Sequence, residues 1–554
     1  MSRVHRPGIV ILLAVLAAGG CSPENRDRSL VEAGRRIYEE GVLPNGDLLV
    51  ATRPEGLVLE GRYAACATCH RHSGMGSVEG LTDQSILVPP IAGPVLFQDA
   101  RFANSWLDES HHWVPHETWR RAMTRPAYDS ASFAKSLRNG VNTLNQEMLA
   151  PMPLYALDDD SMTALIAYIE RLSGQPDPGV ESEQLHIATV VTPDVPSGDA
   201  EGVLGVLRGW SKSGMGAGVP WTLHEWRLTG PVDSWAGQLE VLYQSRPVFA
   251  LLSGVGRNSW GPVHRFCEDQ EIACIMPSID VAPHKRGDRY SMYFSPGVGL
   301  EARILADVLK EGDLPERIVQ IVADDTGRFA AETLSEEIQE QDVSVLTLDI
   351  ETVEQGLLER DLSDNDVIVA WLRPKAIGDL VGVFPEGLPV SEVFLAGLLA
   401  TPSDLSLPSS WRRQSRFVTL FDDLGLQGEI ARLRLEQWLK RNQIPIDSNR
   451  RMQADAYAAC HLFNKALSEI RKQEVRRPSV PLTRNHVIET LEDLVAKYSD
   501  GTQLVDEDSH VAFYGRMSLG PGQRIATRGG SILRYASPNS DSGRLVPVSG
   551  HIVP

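Results

Sequence analysis

The chain has 554 residues, a formal net charge of −20 and only six cysteines. At roughly 100 to 200 residues per domain that length asks for three to four units. The acidic balance argues against nucleic acid or an anionic membrane surface as an electrostatic partner, and leaves either a solvated acidic surface or docking to a basic redox protein.

The first residues, MSRVHRPGIVILLAVLAAGGC, have a basic start (Arg3, Arg6), an apolar run from Gly8 to Ala18 and small residues before Cys21. This is the plan of a secretory signal, and the run is too short to span a bilayer as a helix. A cysteine directly after Ala18, Gly19 and Gly20 resembles a bacterial lipoprotein signal. That resemblance implies removal of residues 1–20, a lipidated Cys21 and attachment to a membrane through the lipid alone; ordinary cleavage with Cys21 incidental is the alternative. Either way the chain is exported to the periplasm.

The next element is a helix in LVEAGRRIYEEG, residues 30–41. It is followed by GRYAACATCHRHSG, in which Cys66, Cys69 and His70 form C-x-x-C-H, the attachment signature of c-type haem. A zinc site would need two more ligands at comparable spacing, and no second C-x-x-C exists in the sequence. One motif implies one haem, with thioether bonds to Cys66 and Cys69 and His70 on the iron. The stretch SHHWVPHETW holds His111, His112 and His116; Pro115 and Glu117 mark a helix start there, so these histidines read as a solvated connection rather than a second metal site. In APMPLYALDDDSMTALIAYIERL, Leu165, Tyr168, Ile169 and Leu172 fall on one helical face.

These segments together resemble the class I cytochrome c family. The resemblance implies a small all-α domain over residues 30–173. It makes Met152 the second axial ligand, ahead of Met148 and Met75, and lets Gly34 bring the first and last helices into close contact. It places Tyr38 near the haem edge, and a proline carbonyl, from Pro89 or Pro90 in VPPIAGPVLF, on the other nitrogen of His70.

Residues 174–185 are rich in Pro, Gly and charge and read as a linker. From His186 onward, short apolar runs (HIATVV, WTLHEWRL, PVFALLSG, then RIVQIVADD, VSVLTLDI, DVIVAWLR, SEVFLAG) alternate with helical stretches, the pattern of parallel sheets covered by helices. The order of VFALLSGVGRNSWG, IMPSIDVAP, YSMYFSPGVGLEARILADVL and RIVQIVADDTGRF resembles the type I periplasmic binding proteins of the leucine/isoleucine/valine and amide class. It implies a two-lobed α/β domain over residues 186–554 with a small-molecule cleft at the strand ends. Carried over by position, the cleft residues are Asn258, Ser259, Ser278, Asp280, Thr326 and Trp371. Cys267 and Cys274 are placed for a disulfide, with Cys274–Cys460 as the other pairing; otherwise Cys460 is a buried helical thiol.

The sequence therefore reads as a multidomain, non-enzymatic, periplasmic electron-transfer protein with one haem c and a module that docks or senses a small ligand. Periplasmic redox proteins are its expected partners. The competing reading is the solute-binding protein of an ABC-type transporter with an appended haem domain. Haem chemistry on a bound substrate would need an open iron position, which Met152 fills.

Overall fold

The computed structural model describes residues 23–79, 86–99, 124–148, 151–182, 184–213, 219–312, 314–421, 426–446, 450–474, 480–499, 514, 517–539 and 543–554. Cys21, His111, His112 and His116 lie outside the described residues. Among the described residues no helix is long and apolar enough to cross a membrane. The chain divides into two compact units, residues 1–174 and 175–554.

The first unit runs α1 (Pro23–Glu40), β1 (Val50–Thr52), β2 (Val58–Glu60), α2 (Ala67–His70), β3 (Ser77–Glu79), β4 (Ile86–Val88), α3 (Gly93–Leu96), α4 (Ser130–Asn139), β5 (Leu154–Tyr155) and α5 (Asp159–Ile169). Helices α1 and α5 pack on each other, burying Ile37, Tyr38, Leu165 and Ile169. The crossing is so close at Gly34 that a Cβ there would lie 2.0 Å from the Ala164 carbonyl oxygen, so only glycine fits. Asp158 caps α5 by accepting from Ser161 N at 2.7 Å, which satisfies a donor the first turn leaves over. The unit is not all-α. Strands β2-β1-β5 form one antiparallel sheet and β3-β4 another. Strands of two or three residues are shorter than the window in which alternation can be read from sequence.

The second unit holds two sheets. In the first lobe, β6 (Val180–Glu181), β7 (Gln184–Val191), β8 (Trp221–Arg227), β9 (Ala250–Leu252), β10 (Ala273–Ile275) and β11 (Ser291–Met292) alternate with α6 (Ser197–Ser213), α7 (Trp235–Ser245) and α8 (Gly261–Asp269). The order is β11-β10-β9-β7-β6, with β8 also on β7, and all pairs except β6–β7 are parallel. Helix α9 (Val298–Glu311) leads into the second lobe, whose strands are β12 (Arg317–Val322), β13 (Ser344–Asp349), β14 (Asp366–Trp371), β15 (Glu392–Ala396), β16 (Ser415–Thr419), β17 (Ser531–Tyr535) and β18 (Leu545–Pro547). Their order is β13-β12-β14-β15-β16-β17-β18, parallel up to β16 and antiparallel beyond it. Helices α10 (Asp325–Ile338), α11 (Val353–Leu358), α12 (Pro374–Val383) and α13 (Ser409–Gln414) connect those strands. After α14 (Leu426–Arg441), α15 (Arg450–Glu474) and α16 (Arg484–Ser499) follow in sequence; α15 packs against α6 and α16.

Part of the expected linker is structured. Residues 180–181 and 184–185 belong to β6 and β7, and Gly179 (φ +89°) lies so close to the backbone of Phe249 that a Cβ would come 2.1 Å from its nitrogen. Gly179 thus serves a close backbone approach. Cys267 and Cys274 form a disulfide, while Cys460 is a buried free thiol on α15.

Candidate functional site

In the first unit the site is built on a single helical turn. His70 N donates to Cys66 O at 2.9 Å and Cys69 N to the same carbonyl at 3.2 Å, which sets the two cysteines one turn apart with His70 next to them. Neither cysteine is in a disulfide, although another pair in the chain is oxidised. Burial pushes the Cys66 thiol up to about 12, and its neighbour is the hydroxyl of Tyr155, itself raised by burial and then by the cysteines. Tyr155 reaches this position from β5, paired with Ala51 of β1.

His70 is buried, and its Nδ1 lies 2.9 Å from the carbonyl oxygen of Pro89. Burial draws the imidazole down to about 4, with the Pro89 carbonyl acting in the opposite direction. The ring is therefore neutral, with its proton held on Nδ1 by the carbonyl and the lone pair left on Nε2. That is the tautomer a metal-binding histidine needs, fixed by the bond behind it. Of the two prolines considered, Pro89 makes the contact.

The backbone beyond the motif is also clamped. Arg71 takes a positive φ of 65°, and its carbonyl accepts the hydroxyl of Tyr38 at 2.7 Å. The ring of Tyr38 rests 5.3 Å from that of Tyr168, so the α1–α5 pair is tied to the turn that carries His70. Met152 packs partly buried against the apolar cluster that contains Cys66, Ala67 and Tyr155, a cluster that takes in neither Met75 nor Met148.

Residues 61–173 match the cytochrome c family model. A cytochrome c domain implies covalent haem c, and the residues present fit it: two cysteines one turn apart and outside any disulfide, and a buried neutral histidine whose Nδ1 is already bonded. Tyr155 and Arg71 were not visible in the sequence as parts of this site. A tyrosine in a two-residue strand carries no pattern, and a positive φ at an arginine carries none either.

The binding-protein-like positions behave differently. The Asn258 side-chain carbonyl accepts from the Thr326 hydroxyl at 3.1 Å. Ser278 donates to Asp455 at 2.6 Å, and Asp280 is fully buried between Arg373 and Arg451. Ser259 is half-buried in the same loop as Asn258. Trp371 is a correction: its ring is a core residue, and Nε1 donates to Gln320 at 2.7 Å inside the second lobe, because the residue ends a strand buried on both faces. The sequence did not point to Arg373, Arg451 or Asp455.

None of the curated proteins matches this sequence. Among solved structures, a fatty acid ABC transporter substrate-binding protein from Thermomonospora curvata is similar at 13% identity and a TM-score of 0.50, over 69% of this chain and 95% of that one. A possible leucine/isoleucine/valine-binding protein from Rhodopirellula baltica follows at 12% identity and 0.49, over 66% of this chain and 97% of that one. A branched chain amino acid ABC transporter structure from Thermus thermophilus with bound valine gives 11% and 0.49, over 67% and 97%. At such identities the likeness is one of fold alone: the chain joins a region matching the cytochrome c model to a two-lobed α/β unit whose fold resembles that of the first of these structures.

Proposed function

We propose that this protein is an exported, lipid-anchored electron carrier with one haem c, joined to a module that senses a small molecule. The observation that carries the reading is the His70–Pro89 bond, which prepares a buried, neutral histidine one residue after the paired thiols. When bound, the haem supplies a one-electron change at iron. Cys66 and Cys69 tether it, His70 offers Nε2 to the metal and Met152 offers its thioether sulfur, a pairing that raises the potential. The Pro89 carbonyl holds the Nδ1 proton, and the tyrosine pair Tyr38 and Tyr168 braces the turn. Were His70 and Met152 both to ligate the iron, no position would be left open for a substrate, and the centre would serve as a carrier.

The test is a redox titration of the haem-loaded protein by visible absorption, with and without a panel of amino acids, fatty acids and amides. A single-haem Nernst curve whose midpoint moves with one compound is expected. A compound that stabilises the second unit while the midpoint stays fixed would favour the other reading, a transporter's solute-binding protein carrying a haem domain. The likeness to substrate-binding proteins supports that alternative. For the anchor, Cys21→Ser is expected to move the protein from the membrane to the soluble periplasmic fraction; unchanged fractionation would remove the lipid from the proposal.

A further inference from the structure

The loops at the strand ends of the two lobes meet, and charge joins them. Asp280, in the loop after β10, accepts from Nη2 of Arg373 at 2.8 Å and from Nη2 of Arg451 at 3.0 Å. Arg373 comes from the loop after β14 in the opposite lobe, where its Nε also donates to Asp324 at 2.9 Å. Arg451 lies 3.3 Å from Asp455, which accepts from the hydroxyls of Ser278 at 2.6 Å and Tyr514 at 2.9 Å. Near this cluster, burial pushes the Glu301 carboxyl well above the usual carboxylate range, and one of its oxygens accepts from Leu398 N at 2.8 Å. The second crossing is the bond from Thr326 to Asn258 at 3.1 Å. Four positions expected to face a ligand, Asn258, Ser278, Asp280 and Thr326, are thus engaged by the chain's own side chains.

We propose that the Asp280–Arg373 bridge, seconded by Asn258–Thr326, is a latch that keeps the two lobes closed on each other without a ligand, so that any ligand entering the cleft must first break it. The latch takes its regulatory meaning from the reading of that cleft as a ligand site, but not its test. Arg373 is the member free to move: its side chain is 18% exposed, against 3% for Arg451 and 0% for Asp280. When Arg373 withdraws, Asp280 keeps Arg451 and Arg373 keeps Asp324. No buried charge is stranded, and stranding one is what makes most buried ion pairs costly to break. Opening then costs one charge-assisted hydrogen bond and one neutral one, small enough for a bound ligand to offset.

Hydrogen–deuterium exchange on the full-length, haem-loaded protein tests the latch without any ligand. Arg373→Gln is expected to raise amide exchange about tenfold, the scale of losing one charge-assisted bond, in residues 276–282, 324–328 and 371–375, with the interiors of β7 and β12 unchanged. Asn258→Ala, at an exposed position that folding tolerates, is expected to raise it in the same segments by a smaller factor. Wild-type exchange there in both variants, or a rise spread equally through β7 and β12, overturns the latch. A redox midpoint indifferent to every added compound would overturn the sensing reading and leave this result untouched.

Discussion

Replacing Met152 with alanine is expected to lower the midpoint potential by about 0.1–0.2 V, a fraction of the roughly 0.8 V range that axial ligands span. Met152 is the methionine packed against the cluster holding Cys66, and it is followed directly by Pro153 and by β5, which pairs with β1. The pairing of β5 thus fixes the chain directly after Met152. Removing the sulfur leaves His70 as the remaining side-chain ligand, still oriented by Pro89, and a neutral thioether is a ligand that favours the reduced iron. The variant should keep its covalent haem by mass, lose the low-spin visible spectrum and bind added imidazole. Met148→Ala should do none of this. A wild-type spectrum and potential in Met152→Ala would move the axial assignment to another residue.

Arg484→Ala is expected to destabilise the second unit by about 3–5 kcal/mol, the scale of deleting a buried cation whose partners stay behind. The guanidinium of Arg484 is 5% exposed and faces no carboxylate in its hydrogen bonds. It donates instead to the carbonyls of Phe249 (2.9 Å), Val248 (2.7 Å), Gln270 (3.3 Å), Glu271 (3.1 Å) and Pro178 (3.2 Å), and to the Tyr243 hydroxyl (3.2 Å). Alanine leaves the carbonyls of Phe249 and Val248 buried without this donor, whereas lysine, a single point of charge, can restore only part of the fan. Eight of the eleven tryptophans follow residue 174, so urea unfolding followed by fluorescence reports the second unit, while haem absorbance reports the first. Only the fluorescence midpoint should fall. Equal shifts in both signals, or in neither, would contradict this role.

What the sequence made legible was local or periodic. The C-x-x-C-H spacing, the glycine at position 34 and the helical face with Leu165, Tyr168 and Ile169 each depend on residues within one or two helical turns; Leu172, expected on the same face, is buried in the same cluster but lies past the end of α5. The strands of the second unit were legible because a parallel strand covered on both faces is a continuous apolar run. The polar interior was not. Asp280 meets Arg373 across 93 residues and Arg451 across 171, and no spacing rule connects positions so distant. The strand-end rule points to these loops, but it cannot say whether a polar residue there waits for a ligand or already has a partner. The segment at 174–185 misled for a related reason: Gly179 is small because the backbone of Phe249 is against it, and composition alone cannot separate a glycine that frees the chain from one that lets it pack.

The return of α15 and α16 to the first lobe also bears on the order in which the protein becomes complete as it leaves the ribosome. Every strand and helix of the cytochrome domain lies before residue 174, so its parts emerge together and first. The first lobe closes only from its far end. The indole of Trp221 bonds to Asn464, 243 residues later, and the carbonyls of residues 248–249 and 270–271 wait for Arg484, more than 200 residues on. Domains that emerge early fold early, so a chain stopped short of residue 450 would hold every element of the first unit but only a half-built lobe, its apolar face still open to proteases.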